Sequence, residues 1–289
     1  MKKINNIFAF AIIALLIYSC GSSSTSIEDF DHEAQALIDN DTLTQFLENH
    51  YYDAAVDSVK VIESGQVPLS DIVSSMSVTE NDIDYTLYYY IKNVGTPAVD
   101  KGYPTVMDSV FVKYYGQAIV TTESLSTAFD SNDNTWFTLN GVIRGWAHGF
   151  TKFKGGNNIT NNGPITFENG GKGLLFIPSG LAYGNTGSGT GDVIANECLV
   201  FNIELYDFVK DTDHDNDGVA SIFEDPDGNG DPRDDDTDED GVPNFFDSDD
   251  DGDAVLTKNE DANGDGNPAN DFSDPSNPTL ADYLNSDIK

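Results

Sequence analysis

The sequence predicts an α+β fold: an antiparallel sheet of five or six strands curled over one short helix, preceded by a helical segment and followed by an irregular tail. Three observations support this. Apolar residues recur at helical spacing between Glu28 and about Ala55. Alternating apolar residues mark strands from Ile83 to Phe208. Strand-like sequence then stops near Phe208–Asp211, where acidic residues take over.

The N-terminal residues have the pattern of an export signal. Lys2 and Lys3 precede an apolar run at residues 7–17, which is too short to cross a bilayer as a helix. The string "IYSC", ending at Cys20, resembles a bacterial lipoprotein box, which implies a signal peptide over residues 1–19 and acylation of Cys20. An ordinary signal cleaved elsewhere remains the alternative. Gly21, which follows the cysteine, suggests the outer membrane by the lipoprotein sorting pattern, on its periplasmic or surface-facing side.

Four further segments follow. Residues 20–27 are the acylated cysteine and a tether, and residues 28–80 are a helical N-terminal segment that either packs on the next domain or mediates dimerisation. Residues 81–210 form the sheet domain, with the short helix near residues 145–153. Residues 211–289 are the acidic tail. The helical segment is too short for a long dimer stalk, so we expect a monomer, and Cys198 is expected to be a buried structural thiol.

The negative charge is concentrated in the tail. The 289-residue chain has a formal net charge of −36. Residues 211–289 contribute 26 acidic and 3 basic side chains, so they carry −23 of that charge. Such a chain repels phosphate backbones, which argues against a nucleic-acid partner. It attracts cations instead.

The tail repeats in near-contiguous units of twelve residues. Each unit has oxygen side chains at positions 1, 3 and 5, and the first three have glycine at position 6 and an acid at position 12. This is the pattern of a calcium loop, because alternating oxygens converge on one ion and glycine permits the sharp turn. A solvated disordered tail is the alternative, but such a tail has no reason to keep this register. The predicted ligands are Asp213, Asp215, Asp217 and Glu224; Asp225, Asp227, Asn229 and Asp236; Asp236, Asp238, Asp240 and Asp247; Asp249, Asp251, Asp253 and Glu260.

The string resembles thrombospondin type 3 calcium repeats, in which ions take the place of a hydrophobic core. Ca²⁺ is therefore the cofactor expected in the tail, with a dissociation constant on the order of 0.1–1 mM. Ala254 replaces the turn glycine in the fourth unit, and a fifth unit from Asp261 lacks the final acid. No repeat includes a residue of the candidate active site described next, so calcium is not expected to alter turnover there.

Three strings in the sheet domain point to a reaction. They are "VIRGW" from Val142, "IPSGLAYG" from Ile177 and "LVFNIEL" from Leu199. In this order they resemble the FKBP-type peptidyl-prolyl cis-trans isomerases, and the resemblance covers residues 111–208. It implies an aromatic pocket for a proline ring, with proline-containing polypeptides as substrates and no cofactor for catalysis. The pocket residues it implies are Tyr114, Phe129, Asp130, Val142, Ile143, Trp146, Tyr183 and Phe201.

The resemblance also implies individual roles. Trp146 would be the floor under the proline ring, the Ile143 amide would donate to the substrate, and the Tyr183 hydroxyl would bind a substrate carbonyl. Trp136 or Phe137 would supply a further pocket aromatic. Turning an X-Pro bond means passing a barrier of about 18–20 kcal/mol set by amide resonance, so a dry aromatic pocket that favours the twisted amide needs no nucleophile.

The sequence departs from the family pattern in two loops. Extra residues lie between Gly156 and Gly170, and the loop "GNTGSGTGD" after Tyr183 is rich in glycine. The first hypothesis is therefore a membrane-anchored isomerase that assists the folding of exported proteins. The alternatives are a catalytically weak peptide-binding module and a structural role for a calcium-stiffened tail.

Overall fold

A computed structural model describes residues 30–289 of the protein. The predicted signal peptide, the Cys20 acylation site and the tether over residues 20–27 lie outside the described residues. Residues 32–289 form one compact unit. Within residues 30–289, no helix combines the length and the apolar character needed to cross a membrane.

The regular elements of residues 30–289 are two α-helices and eleven strands, with short 3₁₀ turns between them. In chain order they are α1 (His32–Asn49), β1 (His50–Asp53), β2 (Ser58–Val61), β3 (Ser74–Glu80), β4 (Ile83–Asn93), β5 (Ser109–Thr121), β6 (Ser124–Leu125), β7 (Asp130–Thr138), α2 (Arg144–Phe150), β8 (Asn157–Asn158), β9 (Phe167–Glu168), β10 (Gly171–Ile177) and β11 (Leu199–Val209). The predicted short helix is α2.

The main sheet is antiparallel and has seven strands. Its order is β3-β4-β10-β11-β5-β6, and β7 also pairs with β5. The predicted number of five or six was too low. Strand β3 has the mostly polar sequence "SSMSVTE", in which only Met76 and Val78 are apolar, and β6 has only two residues, so the alternation that marks a strand is weak or lacking in both.

The prediction that residues 28–80 are helical was correct only for α1. The chain leaves the helix at His50 and forms the β1–β2 hairpin, in which Tyr52 is paired with Val59. Aromatic and β-branched residues favour that extended structure. Strand β3 then pairs along its whole length with β4, so the sheet begins before residue 81.

Each face of the sheet is covered by one helix. On one face, α2 contributes Trp146 and Phe150 to the larger buried cluster, with Leu175 and Phe201 of the sheet. On the other face, α1 packs against the sheet and together they form a second buried cluster. Its residues are Leu43, Phe46, Leu47, Leu69, Ile119, Leu174, Phe176, Cys198 and Val200. The central strands are therefore apolar on both faces, as "GLLFI" in β10 shows. Cys198 is a buried free thiol, as expected.

The tail follows β11 and has no α-helix or strand in residues 211–289. Its regular structure is limited to four 3₁₀ turns, at Asn244–Phe246, Thr257–Asn259, Pro268–Asn270 and Asp282–Leu284. It is not separate from the rest of the fold, because Phe245 is only 4% exposed and belongs to the larger buried cluster. Tyr283 and Val219 form a small buried cluster of the tail itself.

Candidate functional site

An open cavity of about 250 Å³ lies between the sheet and α2. Its lining residues come from β5, β7, α2, β11 and the loops beside α2 and β10. They are Tyr114, Phe129, Asp130, Phe137, Gly141, Val142, Ile143, Trp146, Tyr183 and Phe201. The structure thus brings all eight of the predicted pocket residues together. Their part in catalysis stays a prediction.

Trp146 forms the centre of an aromatic box. Its ring lies 4.8 Å from that of Tyr114 and 5.1 Å from that of Phe201, both at 79°. The ring of Phe137 is 5.6 Å from Trp146, at 83°. Edge-to-face contacts of this kind are favourable for aromatic rings and hold them in fixed positions. The box is therefore a rigid apolar container of a size suited to one small ring.

Three polar groups lie at the edge of this box, on Tyr114, Asp130 and Tyr183. The hydroxyl of Tyr114 donates a hydrogen bond of 2.7 Å to Oδ2 of Asp130. Burial raises the pKa of Tyr114, and this bond to Asp130 raises it further. Burial also raises the pKa of Tyr183, with a contribution from the charge of Asp130. Both phenols are thus protonated at neutral pH and able to donate hydrogen bonds.

The rim loop that carries Tyr183 is fixed from behind by the N-terminal helix. Asp39 of α1 is buried, and its Oδ2 accepts hydrogen bonds from the backbone N–H and the hydroxyl of Ser179, at 2.7 and 2.6 Å. Ser179 opens the 3₁₀ turn Ser179–Leu181, just before Tyr183. Beyond Tyr183, Ser188 N–H donates to the carbonyl of Val193, which is buried. The altered loop therefore has its own internal bonds and a core anchor.

The sequence left the choice between Trp136 and Phe137 open, and it did not single out Gly116. Phe137 rather than Trp136 lines the cavity, since Trp136 lies on the opposite face of β7 and stacks on Phe111 at 5.2 Å. At Gly116, a Cβ atom would lie 2.5 Å from the Phe201 ring and 2.9 Å from that of Phe129. The strand alternation at Phe137 was the signal that separates it from its neighbour.

The tail units share one backbone arrangement. In each unit the amide at position 6 donates to the carboxylate at position 1, as from Gly218 to Asp213 at 3.1 Å and from Gly241 to Asp236 at 2.9 Å. Ala254 makes the same bond to Asp249, at 3.2 Å and with φ of 73°. The fourth unit therefore keeps the turn without glycine, although a side chain there is strained.

The carboxylates of the units converge in groups. Within each group, one oxygen from every residue lies within 4.8 Å of the others. These groups are Asp213, Asp215 and Asp217; Asp217, Glu224 and Asp250; Asp225, Asp227 and Asp235; Asp236, Asp238 and Asp240; and Asp249, Asp251 and Asp253. Oxygens around one Ca²⁺, each at 2.3–2.6 Å, have similar mutual separations.

The predicted closing acids are placed less regularly. In the second unit Asp235 joins the group, whereas Asp236 belongs to the third, because the unit closes one position early. Asn229 uses its amide group to bond Asp227 and Asp234. Asp247 lies outside the third group, and its Oδ1 accepts from the Asp249 amide. Glu260 lies outside the fourth group, but both of its oxygens are buried without a partner.

Many of these buried oxygens have no hydrogen-bond partner in residues 30–289. They include both oxygens of Asp215, Glu224 and Glu260. Burial, with repulsion from Asp217 and Asp250, raises the pKa of Glu224 to about 10. Buried carboxylates without donors are rare in proteins unless a cation binds them. Hard carboxylate oxygens in such groups fit Ca²⁺ better than Zn²⁺ or copper.

Comparison with known proteins adds the family. The family model of FKBP-type peptidyl-prolyl cis-trans isomerases matches residues 101–206. A second family model, described as BamM C-terminal, matches residues 214–286. The isomerase FkpA of Aeromonas hydrophila is 34% identical over 119 residues, which are 41% of this chain and 37% of that protein. A crystal structure of FkpA from Escherichia coli shares 29% identity over 46% of this chain and 52% of that chain, with a TM-score of 0.33.

A shorter relative decides the family. The probable FK506-binding protein of Corynebacterium glutamicum is 33% identical over 96 residues, which are 33% of this chain but 68% of that protein. The chain belongs to the FKBP-type peptidyl-prolyl cis-trans isomerase family. The match with the Aeromonas FkpA covers well under half of that protein's length, 37%. The family therefore describes the sheet domain and its cavity.

The tail touches the FKBP-type domain beside the cavity. Arg233 of the second unit donates to Glu80 at 2.9 Å, and Glu80 also accepts from Arg144 of α2 at 3.1 Å. Arg144 in turn contacts Nε2 of His148 at 3.2 Å. Burial, with the charge of Arg144, lowers the pKa of His148 to about 4. His148 is therefore neutral at physiological pH, and its Nε2 accepts a hydrogen bond from Arg144.

Proposed function

We propose that the protein is a peptidyl-prolyl cis-trans isomerase, anchored to the membrane, that assists the folding of exported proteins. The observation that carries the proposal is the cavity in which Trp146, Tyr114 and Phe201 surround a space suited to a proline ring. Such a pocket excludes water from the X-Pro amide, which favours the twisted state with its weakened conjugation. Tyr183 at the rim would donate to the substrate carbonyl, and the Ile143 amide would add a second donor.

The cellular setting rests on the N-terminal sequence. Lys2, Lys3 and the apolar run at residues 7–17 support export, and the string ending at Cys20 supports lipid attachment. Acyl chains on Cys20 would hold the protein at a leaflet, with Gly21 favouring the outer membrane. Unfolded exported chains expose X-Pro bonds whose isomerisation is slow, so an anchored isomerase would meet its substrates there.

We further propose that the tail, residues 211–289, binds Ca²⁺ at its acidic units. The convergent carboxylate groups and their unpartnered buried oxygens support this proposal. The ions would neutralise carboxylates that otherwise repel one another, and would replace an apolar core in this irregular segment. Calcium titration of the full-length chain by calorimetry tests it; absence of binding at 10 mM, above the expected range of about 0.1–1 mM, would refute it.

The test of activity is cis/trans exchange of an X-Pro peptide, measured by NMR with the full-length chain in detergent. We expect the wild type to accelerate exchange, and the double variant Asp130→Ala, Tyr183→Ala to lose about tenfold or more, since two polar contacts are removed. The matched control is the double variant Asp133→Ala, Tyr115→Ala, which changes two exposed residues outside the cavity.

Two other outcomes have different meanings. A folded wild type that broadens the peptide signals without accelerating exchange would support the alternative of a weak peptide-binding module on a calcium-stiffened tail. Equal losses in the two double variants would show that the cavity is not the site of exchange.

We also propose that the protein works as a monomer, because α1 packs on its own sheet through Leu43, Phe46 and Leu47. Light scattering of the full-length chain tests this.

A further inference from the structure

Position 2 of the acidic units has a local role in two of them. His214 contacts Ser221 through its ring at 2.8 Å, and the hydroxyl of Thr237 accepts from Asn244 at 2.8 Å. Both contacts join position 2 to position 9 of the same unit. Neither residue supplies a carboxylate. The loop pattern likewise assigns no ligand to position 2.

The fourth unit has an aspartate at this position. Asp250 makes the same local contact, because Thr257 at position 9 donates a hydrogen bond of 2.6 Å to its Oδ2. This bond fixes the carboxylate and leaves Oδ1 buried without a partner. Asp250 is 1% exposed, so this oxygen has no access to bulk water that would solvate it. The sequence pattern of calcium loops does not explain why the fourth unit has a carboxylate at position 2.

The carboxylate of Asp250 belongs to a group with two carboxylates of the first unit. Oxygens of Asp217, Glu224 and Asp250 lie within 4.8 Å of one another. Asp217 is 1% exposed and Glu224 is fully buried. Oδ2 of Asp217 and both oxygens of Glu224 also have no hydrogen-bond partner in the described part of the chain. Three buried carboxylates from two units far apart in the sequence thus lie together, and each has at least one oxygen without a partner.

Three buried carboxylates at this separation repel strongly in a medium of low dielectric constant. A divalent ion at 2.3–2.6 Å from each oxygen would remove the repulsion and satisfy all three groups at once. We propose that Asp250 is a calcium ligand that the fourth unit contributes to the ion held by Asp217 and Glu224 of the first. This rests on the proposed calcium binding by the tail and names a residue outside the loop pattern.

Such a ligand makes the tail cooperative. The ion would close the chain between Glu224 and Asp250, so that the second and third units lie within a loop whose ends are joined. Loss of the ion would release that loop and the first and fourth units together. If the units shared no ligand, each loop would release its calcium independently of the others.

The test is calcium titration of the full-length chain in detergent, by calorimetry, for wild type, Asp250→Asn and Asp250→Thr. The threonine variant keeps a hydroxyl at position 2, as at Thr237, and lacks the carboxylate. We expect both variants to weaken at least one binding event by about tenfold or more, because ligand charge sets the affinity of such sites. Asp287→Asn, which removes an exposed charge outside every carboxylate group, is the control and should bind as the wild type does.

A crystal structure of the wild type with calcium gives an independent result that does not depend on the variants folding. An ion within about 2.6 Å of Asp250 Oδ1 and of Glu224 supports the proposal. Ions confined to the loops, or wild-type affinity at every site in both Asp250 variants, would overturn it while leaving calcium binding by the repeats intact. A wild type that binds no calcium would overturn both.

Discussion

The hydroxyl of Tyr114 points at the carboxylate of Asp130, 2.7 Å away, across neighbouring strands β5 and β7. Gly116 is the register partner of Asp130, so Tyr114 reaches diagonally along the pair. Asp130 is exposed, and its bond to the buried phenol fixes the side chain at the mouth of the cavity. The pair therefore links the apolar floor to the polar rim.

Removal of that bond should reduce turnover without unfolding the domain. We expect Tyr114→Phe to lower kcat/KM for an X-Pro peptide by roughly three- to tenfold, since a typical hydrogen bond contributes about 0.5–1.5 kcal/mol and Asp130 is exposed to solvent. The measurement is NMR exchange on the full-length chain. Tyr115→Phe is the matched control, because Tyr115 is 45% exposed and does not line the cavity. Equal effects of the two changes would contradict a role for the pair.

Gly116 should tolerate no side chain. An alanine Cβ would lie 2.5 Å from the ring of Phe201, so the aromatic box must move. We expect Gly116→Ala to lower the free energy of unfolding by about 1–3 kcal/mol and to reduce peptide exchange. Denaturant titration measures the first effect. Gly163→Ala, in open space, is the control; comparable stability of the two variants would show that the box accommodates the methyl group.

Asp39 should matter for the rim although it lies on the N-terminal helix. Replacement by alanine removes both hydrogen bonds from Ser179 and leaves its buried donors unsatisfied. We expect Asp39→Ala to reduce the free energy of unfolding by about 2–4 kcal/mol. Asp41→Ala on the same helix removes an exposed carboxylate bonded only locally to Gln45, and should change it by less than about 0.5 kcal/mol. Equal losses would argue against the anchor.

His148 should make stability depend on pH. Its pKa of about 4 in the fold is below the ordinary value near 6.5, owing to burial and to Arg144. The stabilising contribution is complete above pH 6.5 and is lost as pH falls towards 4, because the unfolded state binds the proton first. The charged groups around it are Arg144, Glu80, Arg233 and Asp231.

The comparison that isolates this effect uses His148→Gln. Between pH 7 and pH 5 the wild type should lose about 1 kcal/mol more free energy of unfolding than the variant, after allowance for partial exposure. Urea titrations at both values in calcium-containing buffer provide the measurement. An identical pH dependence in the two proteins would mean that His148 titrates normally in the fold.

Calcium removal should affect the tail and leave turnover nearly unchanged. No residue of the acidic units lines the cavity. The Arg233–Glu80 ion pair joins the tail to β3, and Glu80 also accepts from Arg144 of α2. A partly exposed ion pair contributes about 0–1 kcal/mol. We expect chelation to make the tail sensitive to protease and to change kcat/KM by less than about fivefold. A larger change that Arg233→Ala abolishes would show that calcium acts through this pair.

The sequence predicted the cavity more accurately than the scaffold around it. Trp146, Tyr183 and the other pocket residues lie in strings whose order resembles the family, and the structure brings them to one place. Strand β3 was missed because its polar sequence is stabilised by pairing with β4, a non-local contact that periodicity does not reveal. For the same reason no local pattern indicated the proximity of Asp250 to Glu224 or the ion pair of Arg233 with Glu80.

The burial of Phe245 against the main core bears on how this protein is prepared for experiment. A gene fragment that stops near residue 210, where strand-like sequence ends, would encode the strands and the cavity but would omit Phe245 of the larger buried cluster and Ile222, which packs against that cluster. Its product would expose the apolar surface that these side chains cover and would leave Glu80 without Arg233. Poor solubility of such a shortened product would then reflect the chosen cloning boundary, and yields should improve when the coding region continues through the tail.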